Sequence, residues 1–165
     1  MTADRLIQWE QFQFRIRGER LVAVARTILA GKRLPLELDG IDFREGDAEV
    51  TGKVRKGIPV PFRFHLREIE ARGTTVRVPI EGFTVLGFLP VPGLLFRIAD
   101  AFTHVDGVAI DAERKAIIIS MDRFLPPFVD ADLASIRVIG GGILVTLAGG
   151  GADVPIPGGG FDGQA

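Results

Sequence analysis

The chain has 165 residues and a mass of 17.9 kDa, enough for one ordinary domain. With 47% apolar residues, 25% charged residues and a net charge of −1, it is neither a disordered chain nor a dedicated nucleic-acid binder. The absence of cysteine excludes disulfides, thiolate metal sites and cysteine nucleophiles.

Phe12, Phe14 and Ile16 alternate with Gln11, Gln13, Arg15 and Arg17, which predicts a half-buried strand. After Gly18 the period lengthens. Leu21, Val24, Ala25, Ile28 and Leu29 recur at helical spacing, and Gly31 stands where a C-terminal cap belongs, so an amphipathic helix is expected over 19–30. Strands follow. Leu34, Leu36 and Leu38 alternate, and Asp39-Gly40 marks a turn or bulge before Ile41 and Phe43. Arg44 to Asp47 makes a polar turn. Ala48, Val50, Val54, Ile58, Val60, Phe62, Phe64 and Leu66 then share one face, with Pro59 and Pro61 on the other, as suits an edge or bulged strand. Beyond Arg72-Gly73 another strand carries Val76, Val78 and Ile80.

The face opposite this apolar row holds Lys53, Arg55, Arg63, His65 and Arg67, with Arg77 on the neighbouring strand. The first 80 residues carry 15 Lys and Arg against 11 Asp and Glu, and the remainder 5 against 10. A solvated outer face accounts for such a row. Contact with anionic lipid headgroups, at about 1 kcal/mol per basic residue, is the sharper expectation for Lys53, Arg55, Arg63, Arg67 and Arg77.

From Phe83 to Leu89 the chain is apolar on both faces and broken by glycine. Pro92-Gly93 then opens a second helix with the stripe Leu94, Leu95, Ile98, Phe102 and Val105. Asp106-Gly107 turns the chain into a hairpin of Val108 and Ile110 with Ile117, Ile119 and Met121. Residues 124–133 read as a loop leading into a short helix. A last hairpin pairs Ile136 and Val138 with Ile143, Val145 and Leu147 across three glycines. The division expected is one β-rich domain over 1–148 and a flexible Gly/Pro-rich tail over 149–165.

Catalytic chemistry is thinly supplied. The two histidines, His65 and His104, sit in patterned segments, and neither Ser120 nor Ser135 lies in a nucleophile elbow. There is no phosphate-binding loop, and His104 with Asp106 lacks a third metal ligand of diagnostic spacing. Asp111, Glu113, Asp122, Asp130 and Asp132 fall at turns, where solvation explains them. Without tyrosine, and with Trp9 alone, the chain offers no stacking platform for bases. The expectation is a protein that is not an enzyme and uses no cofactor and no metal.

Residues 105–111, Val-Asp-Gly-Val-Ala-Ile-Asp, lead into Lys115 to Met121, and Ser135-Ile-Arg-Val-Ile-Gly-Gly-Gly-Ile-Leu-Val145 closes the pattern. With the order strand, helix, long strands, apolar helix and two hairpins, this resembles the small bacterial relatives of the tubular lipid-binding (TULIP) superfamily. The resemblance covers roughly residues 10–148. It implies an α+β fold, a long curved antiparallel sheet wrapped around one or two short amphipathic helices, with lipid held between sheet and helix.

A mean hydropathy of +0.27 agrees with an apolar surplus that must be hidden or offered to a ligand. The residues expected to line a trough are Leu36, Leu38, Val60, Phe62, Phe64, Val78, Ile80, Leu94, Leu95, Ile98, Phe102, Ile117, Ile119, Met121, Ile136, Val138 and Val145. Phe83, Val85, Leu86, Phe88 and Leu89 would form its lip. Each position also suits dry core packing. The partner expected is a lipid or other long apolar molecule, with docking to an anionic membrane as an extension and no nucleic acid. The same surplus equally fits a self-associating module that buries it in a homo-oligomer. The charged N-terminus contains no signal-peptide core, and Gly87, Pro90, Pro92 and Gly93 interrupt the most apolar stretch. The location expected is cytoplasmic, at most peripheral to the inner membrane face.

Overall fold

Period-2 alternation dominates this chain, and strands dominate the computed structural model, which describes residues 6–31, 36–87, 106–111 and 113–153. In chain order the elements are β1 (Ile7–Trp9), β2 (Phe12–Arg17), α1 (Gly18–Gly31), β3 (Leu36–Arg44), β4 (Asp47–Lys56) and β5 (Ile58–Leu66). There follow β6 (Glu70–Arg72), β7 (Thr75–Val85), β8 (Val108–Asp111), β9 (Ala116–Ser120), a 3₁₀ turn (Met121–Arg123), β10 (Val129–Ile139) and β11 (Gly142–Ala152). The fold is α+β, two open antiparallel sheets with one α-helix among the described residues. The second expected helix, over 93–105, lies outside those residues.

The larger sheet has seven strands in the order β3-β4-β5-β7-β9-β8, with β6 also on β7. Its hairpins form where the turn residues allow, as at Gly57, whose φ of 87° suits glycine between β4 and β5. The Asp39-Gly40 signal resolves as a bulge, since the β3–β4 register slips between Leu38 and Gly40. The smaller sheet runs β1-β11-β10, with β2 beside β1 along the same edge of β11.

Two expectations change here. Residues 129–133, expected in a loop leading into a short helix, instead form the first part of strand β10, which runs on into the expected hairpin. Alternation decides it, because Ala131 and Leu133 point inward while Asp130, Asp132 and Ala134 point out. Gly149, Gly150, Gly151 and Ala152, expected at the start of a flexible tail, instead continue β11. Gly150 is held against the Trp9 ring, where an added Cβ would come within 3.0 Å, and the Trp9 indole N–H donates to the Ala148 carbonyl at 3.1 Å. Strand partners on both sides order glycines that local propensity would leave free.

The two sheets meet face to face. Val76 and Val78 of β7 pack against Leu133 and Ile136 of β10 and Val145 of β11, with Ile16, Ile117, Ile119, Ile143 and Leu147 around them. Backbone bonds stitch the junction, Leu133 N–H to Gly73 O at 2.8 Å and Gly46 N–H to Val138 O at 3.0 Å. The helix covers a different area: Leu29 joins Leu38 and Val50, flanked by Val22 and Ala25. The helical stripe is therefore narrower than its pattern, for Val24 and Ile28 are exposed.

Candidate functional site

Strand register gathers the apolar row onto one face of the seven-stranded sheet. Leu36 opposes Val54, Leu38 opposes Gly52, Ile41 opposes Val50 and Phe43 opposes Ala48. Val54 in turn opposes Val60, Gly52 opposes Phe62, Val50 opposes Phe64, and Phe62 opposes Val85. Opposed residues share a face, so none of these positions from β3 to β7 brings a charge onto it. Gly52 makes room there, since an added Cβ would lie 2.5 Å from the Phe62 ring.

Three rings stand together on this face. Phe62, Phe64 and Phe83 have centroids 6.1 to 6.2 Å apart and near-parallel planes. Phe62 is buried with Val54 and Val85, while Leu36, Val60, Phe64 and Phe83 around them are only half-buried. Next to them α1 and β3 leave a cavity of about 350 Å³, lined by Leu29, Ala30, Leu36 and Leu38 with Arg26, Glu37 and Asp39. Leu86, 49% exposed, leaves β7 with a φ of 55° and donates its N–H to Pro61 O at 2.9 Å. That left-handed conformation costs a leucine about 1 kcal/mol.

The expected lining residues thus divide. Leu36, Leu38, Val60, Phe62 and Phe64, with the lip residues Phe83, Val85 and Leu86, stand on or beside the helix-covered and ring-bearing face. Val78, Ile136 and Val145 instead fill the core between the sheets, with Ile117, Ile119 and Met121 packed against them. Val138 is buried on β10 and faces Ile143 of β11. Of these, Val78, Ile136, Val138 and Val145 are buried, while Ile117, Ile119 and Met121 are half-buried beside them. Ile80 lies half-buried opposite Leu66. Leu94, Leu95, Ile98, Phe102, Phe88 and Leu89 fall outside the described residues. Sequence reasoning passed over Val50, Val54 and Leu133 as anchors of these clusters, although the first two lay in the recognised alternation.

The outer face differs from the basic strip expected of it. Lys53 Nζ lies 3.4 Å from Asp39, Arg55 pairs with Glu37, and Arg63 Nε lies 3.7 Å from Glu49. Arg67 reaches Asp47 at 3.0 Å and Glu81 at 3.8 Å, while Arg77 reaches Glu70 at 3.2 Å. His65 sits between Asp47, 3.0 Å from Nδ1, and Glu49, 3.6 Å from Nε2. Every cation named for headgroup contact therefore has a carboxylate beside it, and the face is charge-balanced. The Arg67 guanidinium, then His65, holds the Asp47 carboxyl below its ordinary range, and Asp47 raises Arg67 in return.

Among the described residues no group of three or more His, Asp or Glu is placed to hold a metal ion. No described helix is long and apolar enough to cross a membrane. No family model, curated protein or solved structure matches this chain.

Proposed function

We propose that this chain is a non-catalytic binder of an elongated apolar molecule, a lipid acyl chain being the chemical type, held along the ring-bearing face of the seven-stranded sheet. The observation that carries this reading is the half-covered group of Phe64, Phe83, Val60 and Leu36, whose paired partners Val50, Val54 and Phe62 are all apolar. Apolar surface left partly open in this way is stabilised by a guest, at about 0.8 kcal/mol per methylene withdrawn from water. The arrangement of a helix laid on long antiparallel strands is compatible with the tubular lipid-binding resemblance, and the proposal extends that resemblance to function. A headgroup-binding face forms no part of it, because the outer cations are matched by carboxylates.

Protein purified without detergent is expected to release a lipid on solvent extraction, detected by mass spectrometry, and to take up a fluorescent fatty acid at micromolar concentration. Protein that carries no adduct and takes up no probe would overturn the proposal. Binding to neutral and anionic vesicles should be indistinguishable; a strong preference for anionic vesicles would restore the headgroup role to Lys53, Arg55, Arg63, Arg67 and Arg77.

A further inference from the structure

Sheet edges expose unpaired N–H and C=O groups, and folded proteins shield long ones with bulges, short strands or covering groups. The described edges here follow that rule with one exception. β3 is broken by its bulge, and Arg26 donates to the carbonyls of Leu38 and Asp39. The outer side of β10 is engaged by Gly73 and Gly46. β1 spans 3 residues and β8 spans 4.

β2 is the exception. Its 6 residues pair with β11 in unbroken register from Phe12–Leu147 to Arg17–Gly142. No described strand lies on its other side, and it contains neither proline nor bulge. Its apolar residues face the same way as Leu147, Val145 and Ile143, yet the covering sheet reaches only Ile16. Phe12 stays 52% exposed and Phe14 36%, their rings 5.8 Å apart.

We propose that β2 pairs antiparallel with β2 of a second copy of this chain, about a two-fold axis through Phe14. Charge and facing select that register. Centring on Phe14 sets Phe12 against the second copy's Ile16 and Gln13 against its Arg15, so that apolar meets apolar and amide meets guanidinium. Centring on Arg15 would oppose two guanidinium groups, and a shift of half a residue would set phenylalanine beside arginine on one face. Centring on Gln13 would align only residues 12–14 of the two strands. In the chosen register the two small sheets become one, with Phe12, Phe14 and Ile16 of both copies in a continuous stripe.

The measurement is solution mass by light scattering at micromolar concentration, joined to cysteine cross-linking, which the cysteine-free sequence makes clean. The expected mass is twice 17.9 kDa, falling to the single-chain value in Phe14→Lys, which places two ammonium groups face to face on the axis. Gln13→Cys mixed with tagged Arg15→Cys should give a disulfide-linked heterodimer on mild oxidation, several-fold more than either variant alone, because opposed Cα atoms lie within disulfide reach. That cross-link decides the matter if Phe14→Lys does not fold. A single-chain mass for the unaltered protein, or a dimer in which the mixed variants do not cross-link, overturns the proposal. Neither result depends on whether the face bearing Phe62, Phe64 and Phe83 holds a lipid.

Discussion

Two apolar regions of the same protein meet different fates. Between the sheets, Val76, Val78, Leu133, Ile136 and Val145 are closed over by one another. Around Phe62, the neighbours Phe64, Phe83, Val60 and Leu36 are of equal apolarity but only half-covered. Sequence pattern is alike in both, and what separates them is whether a second sheet stands opposite. The alternation of a strand tells which face is apolar, while topology tells whether that face becomes interior or surface.

The closed region should be the more sensitive to truncation. Ile136→Ala removes a side chain that is 8% exposed at the junction of the sheets. A loss of about 3 kcal/mol is expected in urea denaturation, since a packed core relaxes little around the hole. A loss below about 1 kcal/mol would mean that the two sheets are loosely joined and that the contrast is false.

At the half-covered region the contrast should invert. Phe83→Ala deletes a ring that stacks on Phe62 and Phe64 but is itself half-buried. About 1 kcal/mol of stability should be lost, because much of that ring is already in contact with solvent. Uptake of the fluorescent fatty acid, however, should weaken several-fold. Large destabilisation with unchanged uptake would make Phe83 ordinary core and remove the ring group from the proposed site.

The sequence made the strands from β3 to β5, the glycine hairpin of β10 and β11, the bulge at Asp39-Gly40 and α1 legible, because each rests on a local signal of period or turn residue. The inward residues of early β10 were missed because Ala131 and Leu133, spaced by aspartates, also suit a turn into a helix, and only β11 alongside makes them strand. Gly149 to Gly151 have no strand propensity of their own and owe their order to Trp9 and β10. The outer face misled for a related reason. Lys53 and Arg55 on β4, Arg63 on β5 and Arg67 just past its end catch the eye as a row. Glu37, Asp39 and Glu81 reach them from β3 and β7, so neutrality emerges only when four strands are aligned. Half of the candidate site was visible as an apolar row, and its division into core and open face was not.

That charge-paired face supplies the smallest effect and the one most easily read by pH. Asp47 accepts from Arg67 Nε at 3.0 Å and lies 3.0 Å from His65 Nδ1, and its carboxyl titrates lower than in an unfolded chain. As pH falls, this carboxylate consequently takes up its proton in the unfolded state before it does so in the folded state. By linkage, stability rises with pH across that interval. The contribution is complete above the ordinary aspartate value near pH 4 and disappears as the pH drops through the lower folded value. Asp47→Asn should leave the melting temperature near neutral pH only slightly reduced, as exposed pairs contribute little. It should also flatten the acid limb of a stability–pH curve measured below about pH 4. An acid limb as steep in the variant as in the unaltered chain would assign that sensitivity to other carboxylates, and the contact with Arg67 would then be geometry without energetic consequence.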